Sequence, residues 1–207
     1  MKTKEIKKII QGITASIDQD NIDTDMIIPK DYIKGVSSKK LGKHLFSYLR
    51  YNKNNTPNND FVLNDPIFSQ SKILLCGRNF GCGSSREHAV WSLKDYGIEA
   101  IIAPSFAEIF YQNSIRNFLL LATVDQKTYK NLVTYVKSGQ LLKIDISKSL
   151  IITNEFLTTF YLREADKEFL LNGEDELTIA LKHKIHIKKF EDKHKKHYPW
   201  IFLEEIT

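Results

Sequence analysis

Between Lys72 and Val124, short apolar runs alternate with helix-patterned stretches, and glycine or proline marks most of the junctions. Lys72 to Cys76 is an apolar run bounded by turn residues, the pattern of a strand covered on both faces. A glycine-rich turn follows, Gly77 to Gly83, and then a helical pattern from Ser84 to Tyr96 that Gly97 stops. Ile98 to Ala103 reads as a second strand ended by Pro104, Ser105 to Asn117 as a second helix, and Leu119 to Val124 as a third strand. Strand, helix, strand, helix, strand in this order predicts a parallel βα layer, so the fold class is mixed α/β.

The flanks add to this layer. Ile9 to Ile17 is rich in β-branched residues and predicts a first strand, followed by the acidic turn Asp18 to Asp25. His44 to Tyr51 reads as a short helix, Tyr51 to Asp60, with five Asn and a Pro, as a loop, and Phe61 to Leu63 as a short strand. Leu141 to Ile146, Leu150 to Thr153 and Phe156 to Tyr161 predict three short antiparallel strands. Helices are expected over Arg163 to Asn172, stopped by Gly173, and from Asp175 to about Phe190. With 207 residues, 42% of them hydrophobic, the chain can bury one large core. The expectation is a single domain over 1–207 carrying a basic C-terminal helical segment at about 175–197.

Charge narrows the function classes. The net charge of +5 resides in Lys182 to Lys196, where seven Lys face two acids, and the remainder of the chain is neutral. That distribution argues against a nucleic-acid or anionic-membrane surface, and no stretch approaches the roughly 20 apolar residues of a membrane helix. A basic tail used as a binding module would need base-stacking aromatics beside its lysines, whereas here histidines interleave with them. The N-terminus lacks both a continuous apolar core and the arginines of a transit peptide, so the expected compartment is the cytoplasm. Two cysteines, Cys76 and Cys82, make neither a disulfide framework nor a metal site, and an iron–sulfur cluster needs about four protein ligands.

Only five of the 30 basic residues are arginines, the planar forks that grip carboxylates and phosphates, and two of them, Arg78 and Arg86, lie at the glycine turn. Gly81 and Gly83 let a ligand approach the backbone, and the following helix start offers unpaired N–H groups. Ser84, Ser85 and Arg86 add two hydroxyls and a fork, which together suit a carboxylate or phosphate. The same Ser84-x-x-Glu87 has the form of a capping box, which would merely satisfy the helix start. Neither the dinucleotide fingerprint nor the phosphate-loop pattern fits, because Arg86 stands where a third glycine belongs and no Gly-Lys-Ser/Thr is present. Cys82 reads either as a helix-start thiol or, without a nearby His base, as a small turn-lining residue. Upstream, Asp23 and Asp25 flank Thr24; they could bind a divalent ion, orient an arginine, or cap their own turn.

Taken together, NIDTDMIIP, GRNFGCGSSREHAVWSLKDYGI, IIAPSFAEIFYQNSIRN and FLLNGEDELTIAL resemble the small subunits of isopropylmalate isomerase (3-isopropylmalate dehydratase), a branch of the aconitase superfamily. The resemblance runs from about Ile9 to the end. It implies the swivelling β/β/α domain found at the aconitase C-terminus, a large partner subunit that holds a [4Fe-4S] cluster, and a dicarboxylate substrate. It implies no cofactor or metal ligand on this chain. By the match of motifs, Ser84 falls on the catalytic base, Ser85 and Arg86 on carboxylate-binding neighbours, and Asp25 on an acid of the superfamily site. Arg78 is expected to add to the anion site, and Tyr32 and Ile33, in the segment Lys30 to Leu41, to meet the substrate's variable group. Val90 and Ser92 replace the family's usual Pro and Ala, changes that touch packing. The alternative that the resemblance leaves open is the small subunit of a related hydro-lyase acting on homoaconitate or a methylated malate.

Overall fold

The computed structural model describes residues 8–33, 40–173, 178, 180, 181 and 183–201. The chain divides into two compact units, Met1–Gly173 and Glu174–Thr207. In the first, β1 (Ile9–Ile17), β2 (Ile73–Cys76), β3 (Ala100–Ala103), β4 (Leu120–Thr123), β5 (Leu141–Asp145), β6 (Leu150–Ile152) and β7 (Leu157–Thr159) form one mixed sheet in the order β4-β3-β2-β1-β5-β6-β7. The helices are α1 (Thr24–Ile27), α2 (Ser47–Arg50), α3 (Glu87–Tyr96), α4 (Glu108–Arg116), α5 (Gln126–Val136) and α6 (Glu164–Asn172).

β1 joins the two halves of the sheet. Its first residues, Ile9 to Ile13, pair antiparallel with β5, and its last, Thr14 to Ile17, pair parallel with β2. β2 to β4 continue the parallel layer, and every residue of β2 and β3 is buried, as continuous apolar runs require when both faces are covered. β5, β6 and β7 form the expected antiparallel meander. The two ends of the strand order also meet: Thr123, the last residue of β4, exchanges two backbone hydrogen bonds (3.1 and 2.7 Å) with Tyr161, just beyond β7. The sheet is therefore curled, and the mixed α/β class read from the sequence holds.

Three local expectations change. Phe61 to Leu63 is no strand, because Val62–Asn64 forms a 3-10 turn whose hydrogen bonds are local, with Asn64 N–H donating to the Phe61 carbonyl. Helix α5 is additional to the expected elements: Asp125 caps it by accepting from Lys127 and Thr128 N–H, and Tyr129, Leu132 and Val136 supply a buried stripe. That stripe packs on β1 and β2, and Tyr129 donates to Asp18 at 2.7 Å, tying α5 to the loop after β1. Finally, α4 begins at Glu108 rather than Ser105, because Phe106 pairs with Phe80 in a parallel bridge. Val90 and Ser92 are both buried in α3, where the Ser92 hydroxyl donates to the Ala89 carbonyl.

The second unit contains α7 (Lys184–His197), whose residues follow the expected basic helix beyond Phe190. The earlier part of that segment, about 175–182, and positions 34–39 of the proposed substrate loop lie largely outside the described residues. No described helix is long and apolar enough to cross a membrane.

Candidate active site

The loops that leave β1, β2 and β3 are laced together at the same end of the parallel layer. Asn21 N–H donates to the Arg78 carbonyl (2.8 Å), Gly81 N–H to Ile22 (2.7 Å) and Thr24 N–H to Cys82 (2.9 Å). On the other side, Phe80 N–H donates to Ser105 and Ala107 N–H to Phe80. Gly81 has φ +79°, and a Cβ there would overlap the Phe110 ring, so the turn closes on α4 only with glycine. Gly83, at φ +89°, then swings the chain outward and leaves Ser84 and Ser85 exposed.

This geometry decides between the two readings of Ser84-x-x-Glu87. The residue that precedes helix α3 is Arg86, in an extended conformation and with no side-chain cap, so the capping box does not form. Glu87 instead accepts a hydrogen bond from the Asn117 amide at 2.6 Å. The Ser84 carbonyl accepts from the buried Thr24 hydroxyl at 3.0 Å, while the Ser84 hydroxyl has no partner among the described residues. A long-range contact fixes the backbone and leaves the side chain available.

Arg86 is buried, and its guanidinium meets Asp25 of α1 end-on. Nη2 lies 2.8 Å from Oδ2, and Nη1 faces Oδ1. The hydrogen bond from Arg86, aided by its charge, lowers the Asp25 carboxyl below its ordinary value of 3.8 against the opposing effect of burial. Whatever stability this pair adds is present above that ordinary value and is lost as pH falls through the lowered one. Asp23 does something different: its carboxylate caps α1 by accepting from Met26 N–H at 2.7 Å. Of the roles open to the two acids, Asp23 caps its turn and Asp25 orients an arginine. The fork offers five N–H donors, and only part of it is engaged by Asp25.

A cleft of about 220 Å³ lies beside this pair, lined by Thr24, Gly81, Gly83, Ser84, Ser85 and Arg86 on one side and by Ala107, Glu108, Ile109 and Phe110 on the other. Ala107, the residue before α4, also lacks a side-chain cap. The starts of two helices, α3 and α4, thus border the cleft with backbone N–H groups not taken by caps, and their dipoles favour an anion there.

Of the residues singled out in the sequence, Ser84, Ser85, Arg86 and Asp25 come together here. Arg78 does not line this cleft: Nε donates to the Gln126 side chain of α5 at 2.9 Å, and its N–H donates to Asp20. Tyr32 stacks on His44, ring centroids 3.9 Å apart, and Ile33 packs at the edge of the core; neither lines the cleft. Thr24, Glu108 and Ile109 were missed, since only the fold brings the start of α4 opposite the glycine turn. Cys82 donates weakly to the Asn21 carbonyl, and burial and the nearby Asp23 push its thiol up, which fits a turn-lining residue. Burial inside β2 pushes the Cys76 thiol up further.

The laced βα loops and the cleft fall within residues 4–127, which match the family described as aconitase C-terminal domain, and the chain is of that class. The chain is 43% identical over 185 residues to the 3-isopropylmalate dehydratase small subunit of Pelagibacter ubique, covering 89% of this chain and 91% of that protein. It is 42% identical over 205 residues to the protein of the same name from Neisseria gonorrhoeae, covering 93% and 96%. A crystal structure of 3-isopropylmalate dehydratase from Methanocaldococcus jannaschii matches with a TM-score of 0.66 at 29% identity, covering 87% of this chain and 98% of that one. The chain belongs to the family of 3-isopropylmalate dehydratase small subunits.

Proposed function

We propose that this chain is the small subunit of a cytoplasmic, two-chain hydro-lyase of leucine biosynthesis that interconverts 2-isopropylmalate and 3-isopropylmalate by removing and returning water. The observation that carries the reading is the cleft itself, where a partnerless Ser84 hydroxyl sits beside the Arg86–Asp25 pair and two uncapped helix starts. The names of the relatives support the same activity.

In this reading Ser84 takes the proton from the substrate C–H and returns it on rehydration. A neutral serine is a poor base, so its surroundings must favour the charged form. A helix start contributes about 0.3–1 kcal/mol, and up to ~2 in a partly buried site. Preorganised donors are worth about 3 kcal/mol each in the transition state. Arg86 and Ser85 bind a substrate carboxylate, and Asp25 holds Arg86 in place. Tyr32 and Ile33 belong to the segment that would meet the isopropyl group, and Arg78 would contribute by its charge from outside the cleft.

The donor set of this chain does not fit a [4Fe-4S] cluster. Cys76 is sealed in β2, Cys82 is committed to its turn, and no group of three His, Cys, Asp or Glu among the described residues could hold a metal ion. The cluster that the resemblance implies is therefore assigned to the large subunit, and this chain's part is the base and the carboxylate cradle.

Substrate choice is tested by initial rates of the complex with a large subunit. On 2-isopropylmalate the rate is expected to exceed that on analogues with shorter side chains by about tenfold or more, since one methylene is worth roughly 1–3 kcal/mol. Equal rates, or a preference for a smaller malate, would assign the chain to a related hydro-lyase instead.

A further inference from the structure

We infer that Arg163 is a positioning residue of the cleft: it holds the Glu108 carboxylate at the rim and so keeps a competing anion off the start of α4. The inference rests on the dicarboxylate reading above. Glu108 is the first residue of α4 and lines the cleft. Arg86 brings no net charge, because Asp25 neutralises it. A loose Glu108 would therefore make the cleft negative, and its carboxylate could settle on the very N–H groups that a substrate carboxylate needs.

Two groups restrain it. Gln112 donates to Glu108 Oε1 at 3.0 Å, and Arg163 approaches the same oxygen with Nη1 at 3.3 Å and Nη2 at 3.4 Å. These contacts hold the Glu108 carboxyl below the usual carboxylate range, the Gln112 hydrogen bond being the larger cause, so the group is charged at neutral pH. Arg163 is itself well anchored just before α6. Its Nε donates to Asp166 Oδ2 at 2.8 Å, its guanidinium lies 4.3 Å from the Tyr111 ring centroid, and Tyr111 donates to the same Asp166 oxygen at 2.8 Å. An arginine held by Asp166 and the Tyr111 ring tethers a side chain that is 65% exposed and whose other restraint is the Gln112 hydrogen bond.

The test uses the complex with the large subunit. Arg163→Met keeps a stem over Tyr111 but removes the charge. It is expected to raise KM for 2-isopropylmalate about tenfold while kcat changes by less than about threefold, as loss of electrostatic complementarity at a binding site does. Adding Glu108→Gln to that variant should return KM to near the unaltered value. Such rescue would not follow if Arg163 served only to brace α6, because its hydrogen bond to Asp166 and its charge over the Tyr111 ring stay lost in the double variant. An active complex whose KM ignores Arg163→Met, or whose raised KM is not rescued by the added Glu108→Gln, overturns the inference. No turnover by the unaltered complex overturns the dehydratase reading and this inference with it.

Discussion

Replacing Ser84 with alanine is expected to abolish turnover while the two subunits still assemble. The residue is exposed and its hydroxyl satisfies nothing in the fold, so its removal should cost little stability, within about 0.5 kcal/mol. The Thr24 hydroxyl bonds the Ser84 carbonyl, which alanine retains, so the turn keeps its shape. Catalysis, by contrast, loses the group that takes the proton, and positioned proton transfer alone is worth about 10²- to 10⁴-fold. Steady-state rates and co-elution with the large subunit read the two effects separately. Near-normal activity would remove Ser84 from the role of base.

Arg86→Lys should have the next largest effect, although it conserves charge. The guanidinium is buried and spans both oxygens of Asp25 while keeping donors for a ligand, a geometry that a single ammonium cannot reproduce. A lysine could face Asp25 or a substrate carboxylate, but not both with paired hydrogen bonds. The expected loss in kcat/KM is about 100-fold or more, on the scale of removing one preorganised transition-state donor. A smaller loss of stability should accompany it, about 1–3 kcal/mol, discounted because Asp25 is 43% exposed on its side of the pair. A variant close to the unaltered enzyme would mean that bidentate binding of a carboxylate by Arg86 is wrong.

What the sequence made legible divides along the range of the interactions. The parallel layer could be read because β2 and β3 are continuous apolar runs and Gly97 ends α3 in a left-handed turn, all of them local signals. The stop of α6 at Gly173 is of the same kind. Helix α5 carries equally local signals, its Asp125 cap and its Tyr129–Leu132–Val136 spacing. The start of α3 could not be read, because the Ser84-x-x-Glu87 pattern is overridden by partners far away in sequence. Thr24 takes the Ser84 carbonyl from 60 residues off, and Asp25 takes Arg86 from 61.

The arginines teach the same lesson. Arg78 and Arg86 are neighbours at one turn, yet Asn79 adopts φ +55° between them, and the Arg78 guanidinium ends on Gln126 instead of in the cleft. Arg163, distant in sequence and unremarked as a site residue, reaches Glu108 across the α4–α6 contact. Both arginines stand at one turn, yet only Arg86 lines the cleft, because side-chain direction is set by the turn and by tertiary packing.

The division of labour between two chains can be measured by titrating the purified, iron-free chain into a large subunit and following turnover of 2-isopropylmalate. Each chain alone should be inactive, this one without an iron–sulfur chromophore, and activity should rise with added chain until the large subunit is saturated. Turnover by this chain alone, with an iron–sulfur chromophore bound to it, would contradict the assignment of base and carboxylate cradle to one subunit and cluster to the other.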